Sequence, residues 1–325
     1  MQQKHVVFFG VLTLVIGLVL RGIPVRRAPT DIHQARSYWK ARIDQTGAPA
    51  AYKEFKTVYQ DLAYKKKHAM VHVFGESLFQ TIGLRGLTSC DDTFGYGCFH
   101  GFLGSALGAK GLAAAPAIVS ACKEKYGEEA VECFHGLGHG LLTYLGIGKL
   151  EPTLSVCGSI GSQTGQKSCA TGVFMEYNFP TMESLNGKPT VRKAQVNPHE
   201  PCSSLPLVYQ DSCYLYQANW WLVVYGYDYQ KVGELCGQAK DSNAQQVCFE
   251  GMGFTTAAVN NYQVDTIRSD CGKLSSQSWD MLCRVGAGMG ILREKKERQQ
   301  ALALCLGLGQ REQLECVVKL EREEQ

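Results

Sequence analysis

The sequence lacks the short motifs that mark several large enzyme classes. It contains no GxGxxG loop and no P-loop, which excludes the usual dinucleotide and nucleoside triphosphate sites. It also contains no GxSxG motif and no HExxH helix, so neither an α/β-hydrolase nor a zincin-type metalloprotease is indicated. No two cysteines are spaced as CxxC, and the thiols therefore do not indicate zinc knuckles.

A large excess of one charge is also missing. The 325 residues include 33 Lys and Arg against 30 Asp and Glu, a formal net charge of +3. Proteins that bind nucleic acids usually carry a concentrated basic face, so we expect no nucleic-acid partner. Hydrophobic residues make up 45% of the chain and charged residues 19%, which is typical of a folded globular protein.

The N-terminus carries a hydrophobic run. Residues 6–20 read VVFFGVLTLVIGLVL, which suits the core of a signal sequence but is shorter than the roughly 20 residues of a spanning helix. No A-x-A cleavage site follows the run. We therefore predict a signal anchor within residues 1–27 that contacts the membrane through residues 6–20, and a cleaved signal peptide is the alternative. By the positive-inside rule, Arg21, Arg26 and Arg27 oppose an orientation with the N-terminus in the cytoplasm. The cysteine content, which indicates that the rest of the chain lies outside the cytoplasm, outweighs this argument.

The 14 cysteines indicate an oxidising compartment. An even number of cysteines behind a hydrophobic N-terminus predicts disulfides, and hence a periplasmic or cell-surface location. The cysteines follow one another in pairs, and all pairs but the first are separated by 11 or 12 residues: Cys90 and Cys98, Cys122 and Cys133, Cys157 and Cys169, Cys202 and Cys213, Cys236 and Cys248, Cys271 and Cys283, and Cys305 and Cys316. Bonding within a pair staples one unit, and bonding between neighbouring units is the alternative.

The second cysteine of each pair recurs with a regular period. It stands at 98, 133, 169, 213, 248, 283 and 316, in steps of 35, 36, 44, 35, 35 and 33. A period near 35 residues is typical of a helical hairpin in a repeat array. We therefore predict an all-α fold, an α/α solenoid of about seven hairpins with one disulfide each, over residues 67–325. Residues 28–66 are expected to form a stalk and an N-terminal helical cap.

A glycine follows the second cysteine by three residues in five of the units. These glycines are Gly101, Gly136, Gly172, Gly251 and Gly286. Glycine inside a helix costs about 1 kcal/mol relative to alanine, so its recurrence needs a reason. Close approach between the backbones of neighbouring helices is the simplest one.

The layout resembles the Sel1-like, cysteine-rich repeat proteins of bacteria. In that family, α/α hairpins of similar length each carry one disulfide, and the resemblance covers roughly residues 86–320. The C-x-x-G motif with its 11- to 12-residue spacing is not the pattern of that family. The resemblance therefore implies an architecture and no functional residue.

Five of the eight histidines fall between residues 68 and 139: His68, His72, His100, His135 and His139. Two i, i+4 pairs, His68 with His72 and His135 with His139, each share a helix face. His100 and His135 both lie two residues after a cysteine, and His72 is approximately equivalent to them. Equivalent positions in stacked repeats lie in a row, so we expect these imidazoles to converge.

Imidazoles in such a row predict a transition-metal site for Zn, Cu or Fe. Glu76, which continues the spacing of the first pair, and Glu176, in GVFMEYN, are expected to complete the ligand set or to act as a general base. The structural alternative is that these histidines pack between helices and form hydrogen bonds to neighbouring loops.

Three functions remain open at this point. The first is a membrane-anchored, extracytoplasmic protein with a histidine metal site. If that site supports a metal-dependent reaction, the protein is an enzyme. The second is a non-catalytic scaffold of the cell envelope, which binds a protein, peptide or glycan on its concave face through the loop 178–201 and the aromatic residues within 214–229. The third, metal storage or delivery, would use the same histidines. Core packing is the alternative for the aromatic residues.

Overall fold

In the computed structural model, the residues described are 28–179, 192 and 195–323. The predicted anchor at residues 6–20 and most of the loop 178–201 lie outside them. The described residues form fifteen α-helices and no β-strand. The helices are α1 Ile32–Thr46, α2 Ala48–Tyr59, α3 Tyr64–Ile82, α4 Gly97–Lys110, α5 Ala115–Tyr126, α6 Val131–Leu145, α7 Leu150–Gly158, α8 Gln163–Asn178, α9 Leu207–Val224, α10 Tyr229–Gly237, α11 Ser242–Val259, α12 Val264–Cys271, α13 Gln277–Lys295, α14 Arg298–Ala303 and α15 Gln310–Glu323.

The helices form an α/α repeat array with an inner and an outer row. The inner row runs α1, α3, α4, α6, α8, α9, α11, α13 and α15, and each of these helices packs on the next. The shorter outer elements precede the inner helices as the first arms of the hairpins. In two hairpins the outer arm is a 3-10 turn, Gly83–Ser89 or Cys202–Ser204, instead of the α-helix that the repeat pattern predicts.

Each hairpin is closed by one disulfide. The structure pairs each first cysteine with the second cysteine of its own unit, in all seven units. In the chain-entropy model, closing a loop of about 12 residues stabilises the fold by roughly 3 kcal/mol. Because these bonds stay within one unit, packing between units depends on non-covalent contacts.

Polar N-caps fix where the inner helices begin. Ser162, Asp241 and Ser276 each lie seven residues before the second cysteine of their unit, and each side chain accepts a hydrogen bond from the first helical turn. Such caps satisfy backbone N–H groups that have no partner within the helix. The second cysteine therefore enters each of these helices at the same turn, which keeps the hairpins in register.

Glycines bring the backbones of neighbouring inner helices into contact. A Cβ at Gly101 would lie 1.9 Å from the carbonyl oxygen of His72, and a Cβ at Gly75 would lie 2.2 Å from that of Cys98. The same arrangement joins α6 to α8 and α11 to α13. A Cβ at Gly172 would overlap the carbonyl oxygen of His135, and a Cβ at Gly286 would overlap that of Glu250. The expected close approach of backbones therefore holds for these helices.

The array curls back so that its early and late repeats meet. The Lys296 ammonium lies 3.7 Å from the Asp92 carboxylate, and the Arg293 guanidinium lies 5.8 Å from the centre of the Tyr96 ring. An open cavity of about 540 Å³ lies between them, and its lining comes from α4, α6, α8, α9, α11 and α13.

Residues 28–66, expected as a stalk and cap, form α1, α2 and the start of α3. Trp39 of α1, Phe55 of α2 and Phe74 of α3 make mutual ring contacts at 5.0 to 5.6 Å between centroids. All three rings are fully buried. Aromatic packing thus joins this segment to the first repeat.

Within the part of the chain described, no single helix is both long and apolar enough to cross a membrane. The segments Gly97–Lys110 and Leu112–Tyr126 meet the length and composition criteria only as a pair, and they are bent by 117° relative to each other.

Gly101→Ala should destabilise the protein by about 1–3 kcal/mol, the usual cost of overpacking, because the new Cβ would overlap the backbone of α3. Gly108 is the matched control, since it lies in the same helix but is exposed and has open space around it. Gly108→Ala should stabilise the protein by up to about 1 kcal/mol through helix propensity. Urea unfolding followed by circular dichroism measures both changes, and equal effects at the two sites would contradict the account.

Candidate metal centre

The glycine contacts place the histidines of three inner helices side by side. His68 and His72 lie on α3, His100 on α4, and His135 and His139 on α6. Because the backbone of α4 touches α3 at His72, and α6 packs on α4 in turn, the side chains converge. The repeat pattern predicts this row, and the structure brings all five predicted histidines together.

The imidazole rings form a continuous chain of contacts. The centroid distances are 4.7 Å for His68 and His72, 5.1 Å for His72 and His100, 4.2 Å for His100 and His139, and 5.0 Å for His135 and His139. His72, His100 and His139 are at most 2% exposed. Such a packed set of neutral polar rings is costly unless the ring nitrogens find partners.

Two groups of three histidines have ligand geometry. In each group one ring nitrogen from every member lies within 4.8 Å of the others. The first group is His68, His72 and His100, and the second is His100, His135 and His139. Three imidazole nitrogens at such distances can close around one ion, and His100 belongs to both groups.

Hydrogen bonds fix the tautomers of three of the rings. His68 Nδ1 lies 2.7 Å from the carbonyl oxygen of Phe94, which only accepts, so Nδ1 carries the proton. His139 Nδ1 donates in the same way to a Glu176 carboxylate oxygen at 3.0 Å. Both rings therefore present Nε2 with its lone pair to the cluster, the arrangement that metal-ligating histidines usually show.

His135 is fixed by a hydroxyl group. Its Nδ1 lies 2.9 Å from Thr171 Oγ1, and that hydroxyl donates its own proton to the carbonyl oxygen of Ser168 at 2.6 Å. The hydroxyl oxygen therefore accepts from His135 Nδ1, which leaves His135 Nε2 with its lone pair. Thr171 occupies the same repeat position as His100 and His135, two residues after a cysteine, so the repeat alignment could have identified it as a partner.

Other nitrogens of the cluster have no hydrogen-bond partner among the described residues. These are His72 Nδ1, His100 Nε2 and His139 Nε2, and all three are buried. A buried polar atom without a partner costs about 1–3 kcal/mol, and such an atom in a native fold calls for an explanation. Metal coordination by His100 and His139 would supply one.

The environment favours the neutral form of four of the imidazoles. Burial lowers the pKa of His68, and it lowers the pKa values of His72, His100 and His135 well below the ordinary value. Repulsion from neighbouring imidazoles lowers all four further. A neutral imidazole binds metal without first losing a proton, so few protons compete at neutral pH.

The two predicted glutamates have different positions. The Glu76 carboxylate pairs with the Arg36 guanidinium at 2.7 Å and belongs to neither histidine group. Eight residues of helix rotate Glu76 by about 80° from His68, which turns it toward α1. Glu176 is buried against His139, where its carboxylate holds that ring in position.

The cavity gives the cluster a route to solvent. His100 and His135 contribute to its lining, together with Tyr96, Tyr216 and Arg293. Repeat spacing gave no indication of Tyr96 and Arg293, because the curl of the array brings them there. Within the aromatic segment, Tyr214, Trp220 and Trp221 are buried in the core, as the packing alternative expects, whereas Tyr216 and Tyr227 face the cavity.

The metal-free protein should lose stability as the pH falls below about 6.5. The unfolded chain binds protons at its histidines there, whereas the lowered pKa values keep the folded cluster neutral. Each such histidine should contribute about 1.4 kcal/mol per pH unit between 6.5 and its own folded pKa. Unfolding in urea with a chelator, at pH values from 7.5 to 5, measures the slope.

Two variants control that measurement. His72→Met should reduce the slope, because it removes one of these buried histidines. His33→Ala, which removes an exposed histidine of α1 outside the cluster, is the control, and the reduction should be larger in His72→Met. Stability that is flat or rises between pH 6.5 and 5 would show that the histidines are not neutral in the fold.

Comparison with known proteins adds no assignment. The chain matches no protein-family model, no curated protein and no solved structure. The resemblance to Sel1-like proteins thus stays an expectation about architecture, and the function is argued from the cluster itself.

Proposed function

We propose that this protein is an extracytoplasmic metalloprotein that binds a transition metal through its histidine cluster. One observation carries the proposal: five imidazoles from three helices converge so that two groups of three nitrogens each lie within 4.8 Å. Seven disulfides and no free cysteine among the described residues support an oxidising location outside the cytoplasm. Within this proposal, residues 6–20 anchor the chain in the membrane.

The donor set favours Zn, Cu or Fe. All described cysteines are in disulfides, so thiolate ligands are not available, and neutral imidazole nitrogens suit these three metals. The hydrogen-bond partners of the Nδ1 atoms also support a metal site. A backbone carbonyl, a hydroxyl and a carboxylate orient His68, His135 and His139, and such second contacts tune the affinity of a metal site.

The ligand count favours a reactive site over a structural one. Structural zinc sites usually have four protein ligands, whereas catalytic sites keep a position for water or substrate. Each group here offers three imidazoles, and two of the five histidines line the cavity. A metal-dependent reaction on a small molecule in the cavity is therefore our proposed activity, with Glu176 as a positioning residue for His139.

A second candidate is a binding scaffold of the cell envelope for a protein, peptide or glycan. The observation in its favour is the aromatic lining of the cavity, with Tyr96, Tyr216 and Phe254. Aromatic faces stack well on sugar rings and on apolar side chains. This candidate requires no metal, and it explains neither the convergence of the histidines nor their tautomers.

Metal content separates the two candidates. The full chain, produced in an oxidising compartment and purified without a histidine tag, should contain near-stoichiometric metal by inductively coupled plasma mass spectrometry. The double variant His135→Ala, His139→Ala removes two ligands of the second group and should lose metal bound there. His33→Ala is the matched control, because it removes an exposed histidine outside the cluster.

The scaffold candidate predicts a different result. In that case the protein would hold no metal, even after incubation with Zn, Cu and Fe salts, and the double variant would equal the control. Metal that persists in a variant lacking all five cluster histidines would also contradict the proposed site.

A further inference from the structure

We propose that the cluster holds two metal ions and that the imidazole of His100 bridges them through its two nitrogens. This inference rests on the proposed function, since it requires that the cluster binds metal. It goes further by fixing the number of ions and the group that links them. The inference is based on one observation: His100 belongs to both ligand groups.

The two nitrogens of His100 serve different groups. Its Nδ1 lies 3.3 Å from His72 Nε2, and His72 Nε2 in turn lies 3.0 Å from His68 Nε2. We assign these three nitrogens to the first group. The other nitrogen of His100, Nε2, is buried without a partner among the described residues, and the ring packs 4.2 Å from that of His139.

The second group uses the opposite edge of the same ring. His135 and His139 both carry their proton on Nδ1, as their bonds to Thr171 and Glu176 require, so each offers Nε2. His100 Nε2 is the nitrogen left to complete this group. Because the two ring nitrogens of an imidazole face in different directions, one ion cannot bind both, and two ions are needed.

The proton count is consistent with a bridge. A neutral imidazole has one N–H and one lone pair, and the first ion binds the lone pair. The second ion replaces the remaining proton, which passes to solvent through the cavity that His100 lines. The resulting imidazolate carries one negative charge between two cations, and bound metal cations favour deprotonation of their ligands. No oxidant or reductant takes part.

The surroundings favour this charge distribution. The Glu176 carboxylate is already bonded to His139, so an anionic bridge places negative charge where the two ions would otherwise repel. The Arg293 guanidinium lines the same cavity as His100 and His135, and a negatively charged bridge offsets its repulsion of added cations. The Arg36 guanidinium is paired with Glu76.

Copper(II) is the probe for this bridge. The full chain, stripped with a chelator and titrated with Cu(II), should bind two ions by native mass spectrometry. Two copper ions joined by an imidazolate couple antiferromagnetically, so the integrated electron paramagnetic resonance signal should fall well below the bound copper. His68→Ala and His139→Ala each disable one group and should each bind one copper with full signal intensity.

His100→Asn tests the bridge itself, because an amide has no second donor in the position of Nε2. This variant should lose the coupling, while His33→Ala should retain both copper ions and the coupling. Intact disulfides and an unchanged circular dichroism spectrum would show that each variant folds. If His100→Asn does not fold, the signal of the unmodified chain with two bound coppers tests the bridge.

Three results would overturn the inference. One copper per chain, lost equally in His68→Ala and His139→Ala, would mean a single shared site. Two coppers with full signal intensity would mean two unbridged sites. In both cases the proposed metal function would survive, whereas a wild-type chain that binds no copper, zinc or iron would remove both.

Discussion

The contact on which the rest of the structure depends is the approach of neighbouring inner helices through glycine. At Gly101 and Gly172 a single methyl group would overlap the backbone carbonyl of the preceding inner helix. This spacing sets both the distance and the register between repeats. Residues two places after a cysteine are thereby stacked in a row, and in the early repeats that row consists of imidazoles. Glycine costs helix stability at these positions, and the close packing that it permits offsets the cost.

The histidine cluster lowers the stability of the metal-free fold. Several imidazole nitrogens are buried without partners in the part of the chain that the structure describes, and burial holds the pKa values of His72, His100 and His135 well below the ordinary value. Such a site destabilises the metal-free protein, and seven disulfides of roughly 3 kcal/mol each give the fold a reserve against it. Metal binding would then stabilise the early repeats, which carry the histidine cluster.

Much of the architecture is predictable from the sequence, because it depends on short-range patterns of residues. The cysteine period gives the hairpins, and the recurring glycine gives the close helix contact. The 3-10 arms are not predictable, since Gly83–Ser89 and Cys202–Ser204 stand in positions where other units have α-helices. The convergence of the five histidines follows from the repeat alignment. The backbone carbonyl of Phe94 that orients His68 does not, because any residue type supplies a carbonyl. Arg293 at the cavity depends on the long-range curl, which local spacing does not encode.

The most direct test of the account is a crystal structure of the metal-loaded protein, with anomalous diffraction recorded on both sides of the absorption edge of the bound metal. The account predicts two anomalous peaks within ligand distance of histidine nitrogens. One would lie between His68, His72 and His100, and the other between His100, His135 and His139. Peaks at the protein surface alone, or an ordered cluster whose imidazoles bond only to one another and to water, would contradict it.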